Sequence, residues 1–138
     1  MLKIAIVGTG KMGTLLKETA QKQGMEVVYC FEKGIDDHCI DVDVVIDFSH
    51  PDNLESVLDF VKTKKCALVY GTTGLNDNQI DDLKNASTEI PLFYSANFSY
   101  GIAVFEQILK RFAPLLKNDF DMEVQETHHN QKQDAPSG

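Results

Sequence analysis

The chain has 138 residues, 43% of them hydrophobic and 25% charged, a profile of one soluble globular domain rather than a disordered chain. Its 21 acids against 13 bases leave a formal charge of −8, which argues against nucleic acid and anionic membrane surfaces as partners, because both require a basic patch. No apolar run approaches the ~18 residues of a membrane helix, no secretory leader is expected, the cytoplasm is the default compartment, and Cys30, Cys39 and Cys66 lack the paired spacing of a disulfide frame or zinc site.

Leu2 to Val7 is a short apolar run that stops at Gly8, the pattern of a fully buried parallel strand. Lys11 to Gln23 places Met12, Leu15, Leu16 and Thr19 at helical spacing, and Gly24 supplies a stop. Val27 to Phe31 reads as a second strand and Asp43 to Asp47 as a third. The roughly eleven residues between them are close to the lower limit for a parallel crossover, so a loop is expected there. Asp52 or Asn53 is placed to cap a helix bearing Leu54, Val57, Leu58 and Val61. Cys66 to Tyr70 predicts a fourth strand, Asn76 to Ala86 a polar helix with Ile80 and Leu83 inward, and Leu92 to Tyr94 a fifth strand.

Tyr100 to Leu116 carries a strong apolar stripe through Ile102, Phe105, Ile108, Leu109, Phe112 and Leu116, with Pro114 expected to kink or end the helix. Phe120 to Glu126 alternates apolar and polar, which predicts a strand buried on one side. Strands and helices alternate through the first hundred residues. The expected fold class is α/β: a Rossmann-like parallel sheet with helices on both faces, followed by the beginning of an α+β domain.

Gly8-Thr9-Gly10-Lys11-Met12-Gly13 fits G-x-G-x-x-G between a predicted strand and a predicted helix, the context in which that pattern binds a dinucleotide. The first glycine permits the turn, the second lets a pyrophosphate approach the backbone, and the third lets helix and strand pack closely. Glu32, nineteen residues beyond Gly13, is placed to accept hydrogen bonds from the adenosine ribose. Lys33 beside it, together with Lys11, offers charge to a 2′-phosphate, so both NADH and NADPH are expected. Ligands of open α/β sheets bind outside the carboxyl ends of the strands. That directs attention to Phe48 and Ser49 after the third strand, Gly71 and Thr73 after the fourth, and Ala96, Asn97 and Phe98 after the fifth. Phe48 is a candidate to flank the nicotinamide, and Gly71 and Thr73 to meet its ribose and carboxamide.

The run from Glu126 to Gly138 packs His128, His129, Lys132, Ser137 and Gly138 close together. Three readings compete: metal ligands, a polar tail, and a site for a small dianion. Adjacent histidines on a strand face opposite ways and rarely share an ion, which weighs against metal. Imidazole and ammonium groups supply protons and positive charge to a carboxylate-bearing substrate.

The run Glu126-Thr127-His128-His129-x-x-Lys132-x-Asp134-Ala135-Pro136-Ser137-Gly138 resembles the signature of the dihydrodipicolinate reductase (4-hydroxy-tetrahydrodipicolinate reductase) family. The glycine loop, Asp47-Phe48-Ser49, Gly71-Thr72-Thr73-Gly74 and Ala96-Asn97-Phe98-Ser99 extend the likeness along the chain. The resemblance implies NAD(P)H-dependent reduction of a cyclic dicarboxylate in the diaminopimelate route to lysine. It implies His128 as general acid, Lys132 as an aid to protonation, and His129, Ser137 and Gly138 as holders of substrate carboxylates. It further implies a dinucleotide domain over residues 1–97, a substrate and oligomerisation domain opening at 98–138, a hinge at Ser95 to Ser99, and a homotetramer in the full-length family. Because the family's chains are longer, this chain is expected to bind cofactor but to turn over poorly.

Overall fold

The computed structural model describes residues 1–33, 35, 41–128 and 130. The chain divides into two compact units, Met1–Ala96 and Asn97–Gly138. In the first, β1 (Lys3–Val7), β2 (Glu26–Phe31), β3 (Val44–Asp47), β4 (Ala67–Tyr70) and β5 (Leu92–Tyr94) form one sheet. Every pairing is parallel and the order is β2-β1-β3-β4-β5. Helices α1 (Lys11–Lys22), α2 (Leu54–Lys64) and α3 (Asp77–Ala86) connect the strands.

Side chains alternate across a strand, so β1 feeds two cores. Ile4 and Ile6 pack with Ala20 of α1. Ala5 and Val7 pack with Val57, Leu58 and Val61 of α2 and with Leu83 and Ala86 of α3. Both faces are therefore covered, which is why these strands read as unbroken apolar runs. The sheet has the expected α/β architecture, with α1 on one face and α2 and α3 on the other.

The inward face of α1 differs from the expected stripe. Gly13 and Ala20 are buried and Leu16 is half-buried, whereas Met12 and Leu15 are exposed. Gly13 takes an inner position because the helix start lies hard against the end of β1, and Ala20 takes one against Ile4 and Ile6. The expected cap of α2 is also corrected. Asn53 makes no side-chain cap; a short 3₁₀ turn, Pro51–Asn53, precedes the helix, and His50 Nδ1 accepts the Asp52 N–H at 3.3 Å. Lys65, at φ 53°, ends α2 in the left-handed region that short-range sequence signals assign to glycine. Asn76 and Gln79 form a reciprocal capping box at the start of α3, with bonds of 2.9 and 3.0 Å. Much of the expected loop between β2 and β3 (Gly34 and residues 36–40) lies outside the described residues.

In the second unit, α4 (Tyr100–Leu116) starts at Ser99, whose Oγ accepts the Ile102 N–H at 3.4 Å. Pro114 falls in its last turn and neither breaks the helix at its own position nor lets it run far beyond. The expected strand at Phe120 to Glu126 is absent: those residues have no regular structure and are exposed. An alternating strand is stabilised by pairing, and no other strand exists among the described residues of this unit.

Candidate functional site

The first turn of the molecule is built from close approaches that forbid side chains. Gly8 sits at φ +101°, donates its N–H to Phe31 O at 2.8 Å, and lies so near β3 that a Cβ would stand 2.3 Å from Phe48 O. A Cβ on Gly13 would stand 1.7 Å from Gly8 O. Gly10 is the contrast, since a Cβ there meets nothing within 4 Å. The first and third glycines thus serve the fold, and the second faces open space.

Gly10 is also the N-cap of α1, with extended backbone, no side-chain cap, and no acidic residue in the following turn. The free N–H groups and partial positive charge of that helix end are directed to the same opening. An anion fits there, since among the described residues no side chain caps that helix end.

A cleft of about 710 Å³ opens at this point. It is lined by Gly8, Thr9 and Gly10, by Glu32 and Lys33 at the end of β2, by Phe48, Ser49 and His50 after β3, and by Asp52 and Asn53. Seven residues assigned from the sequence therefore meet in one cavity. Of the others, Lys11 and Met12 stand exposed on the first turn of α1 outside this lining. Gly71 is buried, and the space a side chain would need is filled by the Phe48 ring, 2.3 Å from a Cβ built there. Thr73 and Ala96 are half-buried.

Sequence reasoning did not assign His50, Asp52 or Asn53 to the site. Their adjacency to Phe48 and Ser49 was the available signal, and the helix-start pattern of Pro51-Asp52-Asn53 masked it. A second hollow, about 620 Å³ between α2 and α3, is bordered by Asp52, Glu55, Asp59 and Asp82. With Lys62 as the one cation among the described residues that line it, that hollow is net negative, whereas the glycine cleft opens at the uncapped start of α1.

Behind the cleft lies a buried polar knot. Asp47 is 0% exposed. Its Oδ1 accepts from Ser49 N at 2.9 Å, Ser49 Oγ at 2.8 Å and Thr72 Oγ1 at 2.6 Å. The Ser49 N–H is shared with Thr72 Oγ1 at 2.8 Å, and Asn53 Nδ2 donates to Ser49 Oγ at 3.0 Å. Asp47 Oδ2 and the Tyr70 hydroxyl are buried with no hydrogen-bond partner among the described residues. Burial pushes the Asp47 carboxyl above its usual range, against the pull of Thr72 and Ser49. Burial, and then the neighbouring Asp47 charge, pushes the Tyr70 hydroxyl up as well.

In the second unit, Asn97 Oδ1 accepts the Ser99 N–H at 2.8 Å and Phe98 is exposed. His128 Nε2 lies 3.2 Å from Glu126 Oε2, with both side chains accessible. His129, Lys132, Ser137 and Gly138 lie outside the described residues. Among the described residues no cluster of His, Cys, Asp or Glu is placed to hold a metal, and no helix is long and apolar enough to cross a membrane.

Residues 2–98 match the family model described as "Dihydrodipicolinate reductase, N-terminus", and residues 101–138 match "Dihydrodipicolinate reductase, C-terminus". A 4-hydroxy-tetrahydrodipicolinate reductase of Exiguobacterium sp. is 41% identical, the match covering 99% of this chain and 57% of that protein. One from Alkaliphilus oremlandii is 43% identical over 94% of this chain and 55% of its own. This chain thus spans a little over half the length of these relatives. Among solved structures, a conserved hypothetical protein of Pyrococcus furiosus shares the fold, with a TM-score of 0.52 and 20% identity over 69% of this chain and 96% of its own.

Proposed function

This chain belongs to the dihydrodipicolinate reductase family, and from that premise we propose that it carries the cofactor cradle and proton-donating segment of an NAD(P)H-dependent 4-hydroxy-tetrahydrodipicolinate reductase. The observation that carries the reading is the contrast between the glycines: Gly8 and Gly13 are closed off by protein, while Gly10 faces an open cleft at a helix end. Gly10 and the N–H groups behind it hold the pyrophosphate, with Thr9 alongside. Glu32 takes the adenosine ribose, and Lys33 and Lys11 favour a 2′-phosphate when one is present, so NADH and NADPH both serve. Phe48, Ser49, Gly71 and Thr73 position the nicotinamide half, joined by Ala96, Asn97 and Phe98. When bound, the reduced nicotinamide supplies a hydride.

His128 holds the proton that completes the reduction, aided by Lys132. His129, Ser137 and Gly138 grip the carboxylates of a small dicarboxylate, and their local charge and hydrogen bonds offset the repulsion of an acidic protein. The full enzyme is a cytoplasmic homotetramer with a dinucleotide domain over 1–97 and a substrate domain from 98.

Fluorescence titration with NADH tests the cradle. Gly10→Ala should fold normally, because the added methyl meets open space, yet bind NADH at least about tenfold more weakly through loss of close pyrophosphate approach. Equal affinity of the two proteins would overturn the cradle assignment. In a full-length enzyme of this sequence family, His128→Gln and Lys132→Met should abolish turnover and leave NADH affinity in place.

A further inference from the structure

Asp47 and Thr72 are absent from every role assigned above, yet both are buried and both touch the residues that shape the cleft. Asp47 closes β3 and Tyr70 closes β4, and the two are partners in the parallel ladder. The turns that follow these strands are the two from which the nicotinamide half is held in the function proposed above. We propose that Asp47 is a positioning residue that, with Thr72, locks those two turns in register and so sets the affinity for the nicotinamide half of the dinucleotide.

The geometry is that of a clamp. One carboxylate oxygen gathers donors from both turns: the backbone and hydroxyl of Ser49 on one side and the hydroxyl of Thr72 on the other, at 2.6 to 2.9 Å. The Ser49 N–H reaches Thr72 directly as well, so the three groups close a triangle. The Ser49 hydroxyl donates a hydrogen bond to Asp47, which fixes the side chain of a residue that lines the cleft. Phe48, between them in sequence, lays its ring on Gly71 of the opposite turn. Hydrogen bonds to a buried carboxylate are short and strong, and without the Thr72 hydroxyl the turns keep the Gly71 N–H bond to Asp47 O at 2.8 Å and the ring contact. The clamp acts through an acceptor at Oδ1. The second oxygen is buried and makes no hydrogen bond among the described residues, so an amide would keep the Oδ1 acceptor but lose the charge and bury an unpaired N–H donor.

This inference rests on the dinucleotide reading, and the test separates the two. NADH and ADP are titrated against the full chain and its variants, each shown folded by circular dichroism. The adenosine half lies over β2 and β1, whereas Thr72 follows β4, two places from β1 in the sheet. Thr72→Val removes both the bond to Asp47 and the one from the Ser49 N–H, and should therefore weaken NADH at least about tenfold and ADP no more than about threefold. Thr72→Ser should restore NADH binding, and Asp47→Asn, which replaces three bonds to a carboxylate by bonds to a neutral oxygen, should fall between the parent and Thr72→Val for NADH while leaving ADP within about threefold. Thr72→Ala repeats the measurement if the valine variant does not fold. Unchanged NADH affinity without the hydroxyl, or equal losses for NADH and ADP, would overturn the clamp while leaving the function standing. A parent chain that fails to bind NADH would overturn both.

Discussion

Single atoms decide what this chain tolerates around its first turn. Gly13 cannot gain a methyl group without driving it into the Gly8 carbonyl at 1.7 Å, so Gly13→Ala is expected to cost roughly 3 kcal/mol, read as a drop in the urea midpoint. Asp47 is sensitive to proton activity instead. Its carboxyl titrates higher when folded than when unfolded, so the folded state binds more protons over the intervening pH range. Its contribution to stability is fully present below the unfolded value of about 3.9 and is lost as pH rises through the folded value. The stability of Asp47→Asn relative to the parent should therefore improve between pH 4 and pH 7, which paired urea titrations at the two pH values would reveal. Glu32 and the glycine loop were legible because they sit at spacings imposed by a strand, a tight turn and a helix. The knot of Asp47, Ser49 and Thr72 was not, because its partners are 25 residues apart and only the strand pairing unites them.

The secondary elements were legible where local chemistry and burial agree. Among the described residues, the five strands and the four helices of more than one turn follow from apolar runs and helical spacing, with ends shifted by a residue or so. The capping box of α3 is the most local of these signals, and Gln79 also reaches Pro51 O at 3.0 Å, tying α3 to the start of α2. Asn76→Ala should lower stability by about 1 kcal/mol, measurable by thermal or urea unfolding, without altering NADH affinity. The segment from Phe120 to Glu126 shows the limit of such reasoning. Alternation states which face a strand would bury, and it does not supply the neighbour that makes a strand form.

At the scale of the molecule, the unit Met1–Ala96 contains the whole parallel sheet, both of its buried clusters and the glycine cleft. A chain ending at Ala96 should fold with the same sheet and bind ADP as tightly as the longer chain, by circular dichroism and calorimetric titration. Loss of cooperative unfolding in that chain would show that the sheet depends on residues beyond it. The family resemblance read from the histidine-lysine run spans both units, as do the two family models.

Phe48 contributes its carbonyl to the space before Gly8 and its ring to the space before Gly71. Two glycines that follow different strands are thereby packed against one aromatic residue. The two positions differ in what relief they allow: a side chain at position 71 is accommodated once the Phe48 ring turns away or is shortened, whereas one at position 8 meets main chain that no side-chain movement clears.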